Sequence, residues 1–436
     1  MSTKWLILGG GLTGVTLARL LAEKGDAVTV FEKNAKTGGL CVSETRNGFT
    51  FDAGGSHIVF SRDQEVLAFM QNVLAENREF RNRNTKIFYK GRYVKYPFEN
   101  GLAELPKDDL YFCISEYIKM LIASEKGEIP EPTNFKEWIY ATFGKGIAEC
   151  YLVPYNEKIW NYPTDKMSKH WMDGRVPRPP VEDIIKSAVG IETEGYTHQS
   201  VFSYPITGGI EALVRAIEAP VKDCILTNTE VTGVAKTADG WEVTAGGKTY
   251  TGDRIISTIP LQVLLPMLAG VPADVAKAVA DLRYNSIACI SVGIKGTVPD
   301  ISWMYIPEDR WGAFNRLSFP SNFSSKVTPD GCSSILAEIT YNDGDDISRM
   351  TDDELIAHTV SGLTDMGLVK DNVVHTAVDR FKYAYVVYDT AYLANIRTAR
   401  EWIEAQGIDL VGRFSQFEYL NMDGCIRSVL NFVEKQ

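Results

Sequence analysis

The first 32 residues constrain the fold more than any other stretch of this chain. Lys4 to Leu8 is a short apolar run, followed at once by Gly9-Gly10-Gly11-Leu12-Thr13-Gly14. From Val15 to Leu21 apolar residues fall at helical spacing and Gly25 marks the stop. Ala27 to Phe31 is a second run, rich in β-branched residues, that ends on Glu32. This order predicts strand, tight turn, helix and strand. Gly9, Gly11 and Gly14 have G-x-G-x-x-G spacing in that context. The first glycine permits the turn, the second lets backbone N–H groups approach a pyrophosphate at the positive helix end, and the third lets helix and strand pack closely. Glu32, 18 residues after Gly14, is placed for ribose hydroxyls. The glycines alone would fit a turn in an unrelated α/β fold; strand, helix, strand and acid together point to a dinucleotide site.

The rest of the chain must supply whatever else the site needs. With 436 residues it is long enough for two or three lobes. At 45% hydrophobic and 23% charged, disorder and collagen-like repeats are excluded. Lys and Arg number 45 against 56 Asp and Glu, a net charge of −11, which argues against DNA or RNA as partner. An anionic ligand would need a locally placed set of cations. No run approaches the roughly 18 apolar residues of a membrane span, so no membrane association is expected. The seven cysteines show no Cys-x-x-Cys, and no signal-peptide cleavage site is evident, so a reduced cytoplasmic setting is expected. The five histidines (57, 170, 198, 358, 375) have no metal-ligand spacing, and no metal is expected.

The texture changes along the chain. Residues 85–200 are aromatic-rich and helical, broken by Pro130-Glu131-Pro132 and Pro177-Arg178-Pro179-Pro180. Glu230 to Ile256 reads as a small β-meander with turns at Asp239-Gly240 and Gly246-Gly247. Strand-like runs at 286–293 and 334–340 and a helix near 352–364 follow, then a strand from Ile408, Gly412-Arg413 and a helical tail. The expected architecture is α/β: a Rossmann-like dinucleotide-binding domain from residues 1–65, 205–261 and 405–436. Into it are inserted a mainly helical substrate- and nucleotide-binding segment, 66–204, and a mixed α/β substrate segment, 262–404.

Glu32-Lys33-Asn34-Ala35-Lys36-Thr37-Gly38-Gly39-Leu40 resembles the second signature of glutathione-reductase-type FAD proteins, and Gly412-Arg413 resembles their late flavin-reaching loop. Five further stretches resemble the UDP-galactopyranose mutase family, especially its eukaryotic-like branch, within the protoporphyrinogen oxidase-like superfamily. They are Phe51-Asp52-Ala53-Gly54-Gly55-Ser56-His57; Tyr96-Pro97-Phe98-Glu99-Asn100; Pro154-Tyr155-Asn156-Glu157-Lys158-Ile159-Trp160 with Trp171 to Val176; Trp303-Met304-Tyr305 with Arg316 and Asn322; and Gly412-Arg413 with Tyr419-Leu420-Asn421-Met422-Asp423. They occur in family order along nearly the whole chain.

The resemblance implies FAD as cofactor, held by Gly9, Gly11, Leu12, Thr13, Gly14, Glu32, Lys33, Gly38, Gly39, Leu40, Gly55, Ser56, Val231, Gly412, Arg413, Asn421, Met422 and Asp423. FAD would be active when reduced, with NAD(P)H as a possible reductant. It implies a nucleotide-diphosphate sugar, most plausibly UDP-linked, as substrate, bound through Tyr96, Phe98, Glu99, Asn156, Trp160, Arg175, Tyr305, Arg316, Asn322, Tyr385 and Tyr419. The implied activity is an isomerase-type mutase interconverting pyranose and furanose rings. In the family, N5 of reduced FAD attacks the anomeric carbon and no net oxidation occurs. His57 would support the flavin, and Arg175 and Arg316 would hold the departing diphosphate. Such chemistry belongs to cell-wall or surface glycan synthesis.

The residues themselves leave three points open. Tyr385 lies in an aromatic stripe that equally suits core packing. Glu99 replaces the glutamine of some mutases. A carboxylate only accepts hydrogen bonds, which suits the adjacent donors of guanine, unless Glu99 is an acidic helix-start residue facing solvent. The rival function is an FAD-dependent oxidase or desaturase of the protoporphyrinogen oxidase or amine oxidase type, whose substrate sites are largely apolar.

Overall fold

The computed structural model describes residues 2–172, 178–193 and 201–436. Lys4–Leu8 is the central strand of a five-stranded parallel sheet, ordered Ile408–Leu410, Arg254–Ser257, Lys4–Leu8, Ala27–Phe31, Ile225–Leu226. Its apolar residues are buried from Trp5 onward, as parallel strands covered on both faces require. The helix Leu12–Glu23 crosses over this sheet with Val15, Leu17, Ala18 and Leu21 inward, against the C-terminal helix Met422–Val433. The chain therefore returns to its beginning before it ends.

Val231–Thr237, Gly240–Ala245 and Lys248–Gly252 form the antiparallel meander. The next run, Arg254–Ser257, differs from the sequence reading: it leaves the meander and pairs in parallel with Lys4–Leu8.

A second, seven-stranded sheet is ordered Val373–Val387, Arg283–Lys295, Cys332–Tyr341, Arg316–Ser318, Trp303–Tyr305, Thr85–Tyr89, Arg92–Lys95. Its last two strands come from the stretch read as helical. They form a hairpin that pairs Thr85–Tyr89 in parallel with Trp303–Tyr305, a register set by residues more than 200 positions away. The helices Lys107–Glu125, Phe135–Ile147 and Val153–Trp160 pack beside this hairpin around Phe98, Phe143, Ile147 and Tyr151. No helix among the described residues is long and apolar enough to cross a membrane.

Candidate active site

A cleft of about 1190 Å³ runs from the glycine turn to the edge of the seven-stranded sheet. Its floor at one end is the N-terminus of Leu12–Glu23, capped by Gly11 with no side-chain hydrogen bond and no acid in the first turn, so its N–H groups face the cleft uncompensated. A Cβ on Gly14 would lie 1.9 Å from the Gly9 carbonyl oxygen, which is why helix and turn can meet only with glycine there. Glu32 is buried and accepts from the Gly10 N–H (2.9 Å) and the Asn34 N–H (2.8 Å). The Gly38 N–H donates to the Gly10 carbonyl (2.9 Å), bringing the second glycine segment against the first. Gly412 has φ +90°, and a Cβ there would sit 2.5 Å from the Thr13 Oγ1.

Of the residues expected to hold the cofactor, Gly9, Gly11, Leu12, Thr13, Glu32, Lys33, Gly38, Gly39, Leu40, Ser56, Val231, Arg413, Asn421, Met422 and Asp423 line this cleft, with His57. Gly14, Gly55 and Gly412 stand just behind the lining and let it close up. Eight basic side chains line the cleft (Lys33, Arg62, Arg83, Arg316, Arg380, Lys382, Arg413, Arg427) against four acidic ones (Glu32, Asp63, Glu230, Asp423). Four of the eight are ion-paired: Arg316 with Glu338, Arg380 with Asp352, Lys382 with Asp343, and Arg427 with Asp63 and Glu65.

Beyond the turn, Asp52 ends the strand Phe49–Asp52 and anchors the loop that carries His57. Its carboxylate accepts from the Ser43 Oγ (2.8 Å), the Tyr204 hydroxyl (3.0 Å) and the Ile210 N–H (2.9 Å). Burial nonetheless pushes its pKa up to about 6. His57 Nδ1 lies 2.6 Å from the Gly55 carbonyl, which can only accept, so the proton sits on Nδ1. Burial lowers the imidazole to about 4, opposed by that bond and reinforced by the charges of Arg316 and Arg413. At neutral pH His57 is a neutral ring with Nε2 as acceptor.

Arg316 and Glu338 face each other across paired strands. The guanidinium forms a fork on the carboxylate, Nε to Oε1 at 3.1 Å and Nη2 to Oε2 at 2.5 Å, and Oε1 also accepts from the Ser56 N–H at 3.1 Å. Burial works against the Arg316 charge, but Glu338 raises its pKa well above the usual value. Glu338 is 1% exposed and ties the His57 loop to the arginine. It is absent from the residues expected from sequence, although a single acid within the apolar strand Cys332–Tyr341 is a readable signal.

Arg413 donates to the Leu420 and Ala384 carbonyls, and its guanidinium carbon lies 4.7 Å from the Tyr419 ring and 5.3 Å from that of Tyr385. Its Nε and the Ser56 Oγ are buried without a partner, both on residues that line the cleft. Two orphaned polar atoms in a cleft that also holds a helix N-terminus without a side-chain cap fit a bound polar cofactor.

Tyr96, Tyr305, Arg316 and Tyr419 line the far end of the cleft. Tyr385 stacks behind Tyr419 (5.9 Å), and Trp160 lies edge-on to both (6.0 and 5.5 Å), so they shape the wall from behind. Phe98 is fully buried and stacked on Tyr151 at 4.9 Å, leaving no face open to a base. Asn156 spends its amide inside its own helix, donating to the Leu152 carbonyl (2.7 Å) and accepting from Trp160 Nε1 (3.2 Å). Asn322 donates to the Pro299 and Ile301 carbonyls and serves as a loop pin. Glu99 does not face solvent: it is 4% exposed, and burial pushes its carboxyl up to about 7. Arg175 lies outside the described residues. Sequence reasoning also missed Arg83, which lines the cleft with its guanidinium 5.4 Å from the Trp303 ring and 5.6 Å from Tyr96.

Residues 12–431 match the family described as flavin containing amine oxidoreductase. The chain belongs to this family. Its cofactor is FAD, and the helix N-terminus without a side-chain cap and the orphaned polar atoms of the cleft suit it. Within the flavin amine oxidoreductases, the chain is 31% identical over 160 residues to a probable UDP-galactopyranose mutase of Klebsiella pneumoniae, covering 36% of this chain and 40% of that protein. It is 24% identical over 209 residues to a dTDP-fucopyranose mutase of Escherichia coli, 46% of this chain and 54% of that one. It is also 43% identical over 162 residues to a 4,4'-diapophytoene desaturase of Staphylococcus aureus, 37% of this chain and 29% of that one. The matches thus span about half or less of these relatives' own lengths. A crystal structure of reduced UDP-galactopyranose mutase superposes with a TM-score of 0.91 at 27% identity, covering all of this chain and 93% of that one.

Proposed function

We propose that this flavoenzyme is a nucleotide-sugar mutase that interconverts pyranose and furanose rings without net oxidation. The observation that carries the reading is the far end of the cleft. Arg316, held by Glu338, stands among the tyrosines 96, 305 and 419, where an amine or polyene oxidase needs an apolar tunnel. The likeness to a reduced UDP-galactopyranose mutase supports it. When bound and reduced, FAD supplies a nucleophilic nitrogen for the anomeric carbon and ends the cycle in the redox state in which it began.

The chain's own residues bind and orient. Arg316 spends Nε and Nη2 on Glu338, which leaves Nη1 for a diphosphate; at about 4 Å and an effective dielectric near 20 such a pair attracts by roughly 4 kcal/mol before desolvation. The hydroxyls of Tyr305 and Tyr419 donate without adding charge. Neutral His57 offers Nε2 as an acceptor beside the cofactor and keeps its loop in place through Nδ1. Arg413 braces the Tyr385–Tyr419 stack from the cofactor side. The substrate is a nucleotide-diphosphate sugar, with UDP the first candidate.

The test is anaerobic incubation of dithionite-reduced protein with UDP-galactofuranose and UDP-galactopyranose, separated by chromatography. Interconversion by reduced but not oxidised protein supports the reading. No interconversion, together with oxygen consumption on an amine or polyene, overturns it. Competition by UDP, dTDP and GDP assigns the base.

A further inference from the structure

The backbone of Glu338 is fully engaged in its sheet, which leaves the side chain for other work. On the strand Cys332–Tyr341 it pairs with Cys289 on one side and Arg316 on the other, and its carbonyl accepts from the Asn315 N–H at 3.0 Å. The two carboxylate oxygens are used unequally. Oε2 takes the Arg316 Nη2, whereas Oε1 takes both the Arg316 Nε and the Ser56 N–H, each at 3.1 Å. The loop reaches the carboxylate over Gly55, whose φ of +102° suits glycine and whose Cβ, were there one, would touch Oε2 at 3.5 Å. On the same turn the Ser56 Oγ is buried without a partner, and His57 Nδ1 closes on the Gly55 carbonyl at 2.6 Å. Ser56, His57 and Arg316 all line the cleft. The cofactor loop and the arginine thus share one acceptor atom, Oε1.

We propose that Glu338 is a positioning residue that couples the diphosphate site to the cofactor loop, so that a diphosphate oxygen on the Arg316 Nη1 is felt at Ser56 and His57 through Oε1. The inference rests on the reading of Arg316 as a diphosphate ligand. An anion arriving on the guanidinium competes with Glu338 for the same charge. As the bond from Nε to Oε1 weakens, Oε1 becomes a better acceptor for the Ser56 N–H, and the loop is drawn more firmly onto the sheet. By linkage the converse holds: a cofactor that keeps the Ser56 N–H on Oε1 relieves Arg316 for the diphosphate. A buried arginine–carboxylate pair adds little stability over a well-packed apolar pair, so aiming two groups at once is a better reason for this one than stability.

The test uses the reduced FAD holoenzyme, titrated in turn with UDP, dTDP and GDP by calorimetry and in parallel by flavin difference absorbance. Two variants separate the two ties. In Glu338→Gln the amide oxygen takes the Oε1 position, where two donors meet, and the NH₂ is set against Arg316 Nη2; the Ser56 tie stays and the fork is broken. Glu338→Ala removes both. In the wild type, nucleotide binding is expected to change the flavin spectrum with the calorimetric Kd. Glu338→Gln is expected to keep the unliganded flavin spectrum, bind about tenfold more weakly, and lose most of the flavin response at saturation. Glu338→Ala is expected to alter the unliganded spectrum as well. Thermal unfolding checks each variant, and where a Glu338 variant fails to fold, Arg316→Lys replaces it: Glu338 keeps Ser56, and the flavin response at saturation is lost. A general loss of stability would not divide the two readouts in this way. Unchanged affinity or an unchanged flavin response in Glu338→Gln overturns the coupling while leaving the reading of the cleft in place. So does a wild-type flavin spectrum in unliganded Glu338→Ala. Binding of none of the three nucleotides to the wild type overturns that reading and the coupling with it.

Discussion

Glu338 shows how a single buried charge can organise a site it need not touch. It fixes two of Arg316's nitrogens and the Ser56 N–H at once, so its loss releases both the arginine and the loop that carries His57. Removing one partner of a buried ion pair leaves the other uncompensated, at a cost of about 3–5 kcal/mol. Glu338→Gln is therefore expected to lower unfolding free energy by that order in denaturant titrations while the fold persists; a loss below about 1 kcal/mol would show that the pair is not buried as described. Glu99 offers a pH-dependent counterpart. Its folded pKa, about 7, lies above the ordinary 4.5, so between those values the folded chain keeps a proton that the unfolded chain has released. The stability that proton provides is complete below about pH 4.5 and gone above about pH 7, roughly 3 kcal/mol over the window. Wild type should lose that much relative to Glu99→Gln between pH 4.5 and 8 in paired denaturation curves, and a constant gap would refute it. Asp52, raised to about 6, slopes the same way. His57, lowered to about 4, slopes oppositely, gaining stability as pH rises from about 4 to 6.5.

At the scale of elements, the local signals located many segments. The runs at 286–293 and 334–340 are the strands Arg283–Lys295 and Cys332–Tyr341, and the helix near 352–364 is Asp352–Asp365, closed by a capping box between Thr351 and Glu354. The hairpin Thr85–Lys95 escaped because its strands are short and its partner, Trp303–Tyr305, is remote in sequence; pairing decided its state where periodicity did not. Close helix contacts are equally silent in sequence. Gly146 permits the crossing of Lys107–Glu125 and Phe135–Ile147, since a Cβ there meets Cys113 backbone, not a movable side chain. Gly146→Ala should cost about 2 kcal/mol or more through overpacking, despite its better helix propensity. Thermal unfolding checks it, and a stabilised variant would mean that the crossing yields easily.

Across the whole molecule, the cleft is assembled from segments near 9–13, 32–41, 56–63, 229–231, 258–267, 303–316, 380–383 and 413–427. A ligand that touches so many separate stretches should stabilise the entire chain: at a free FAD concentration a hundred times its Kd, about 2.7 kcal/mol. Apoprotein prepared by flavin removal is thus expected to unfold several degrees below the reconstituted protein, and equal melting temperatures would contradict a shared cradle. Sequence by itself determined the dinucleotide cradle, because its requirements are local: no side chain at Gly14, an open helix end, an acid closing the next strand. Its overall charge also showed that an anion would need a local exception. Only the tertiary structure decided what occupies the far end. Strand register sets Glu338 against Arg316, and a contact across 282 residues ties it to Ser56. Packing uses up the Phe98 face that a base would need, while Glu99, which could have faced water, is buried. Which atoms remain available to a ligand depends on what their neighbours have already taken, and those neighbours are set by packing, not by spacing along the chain.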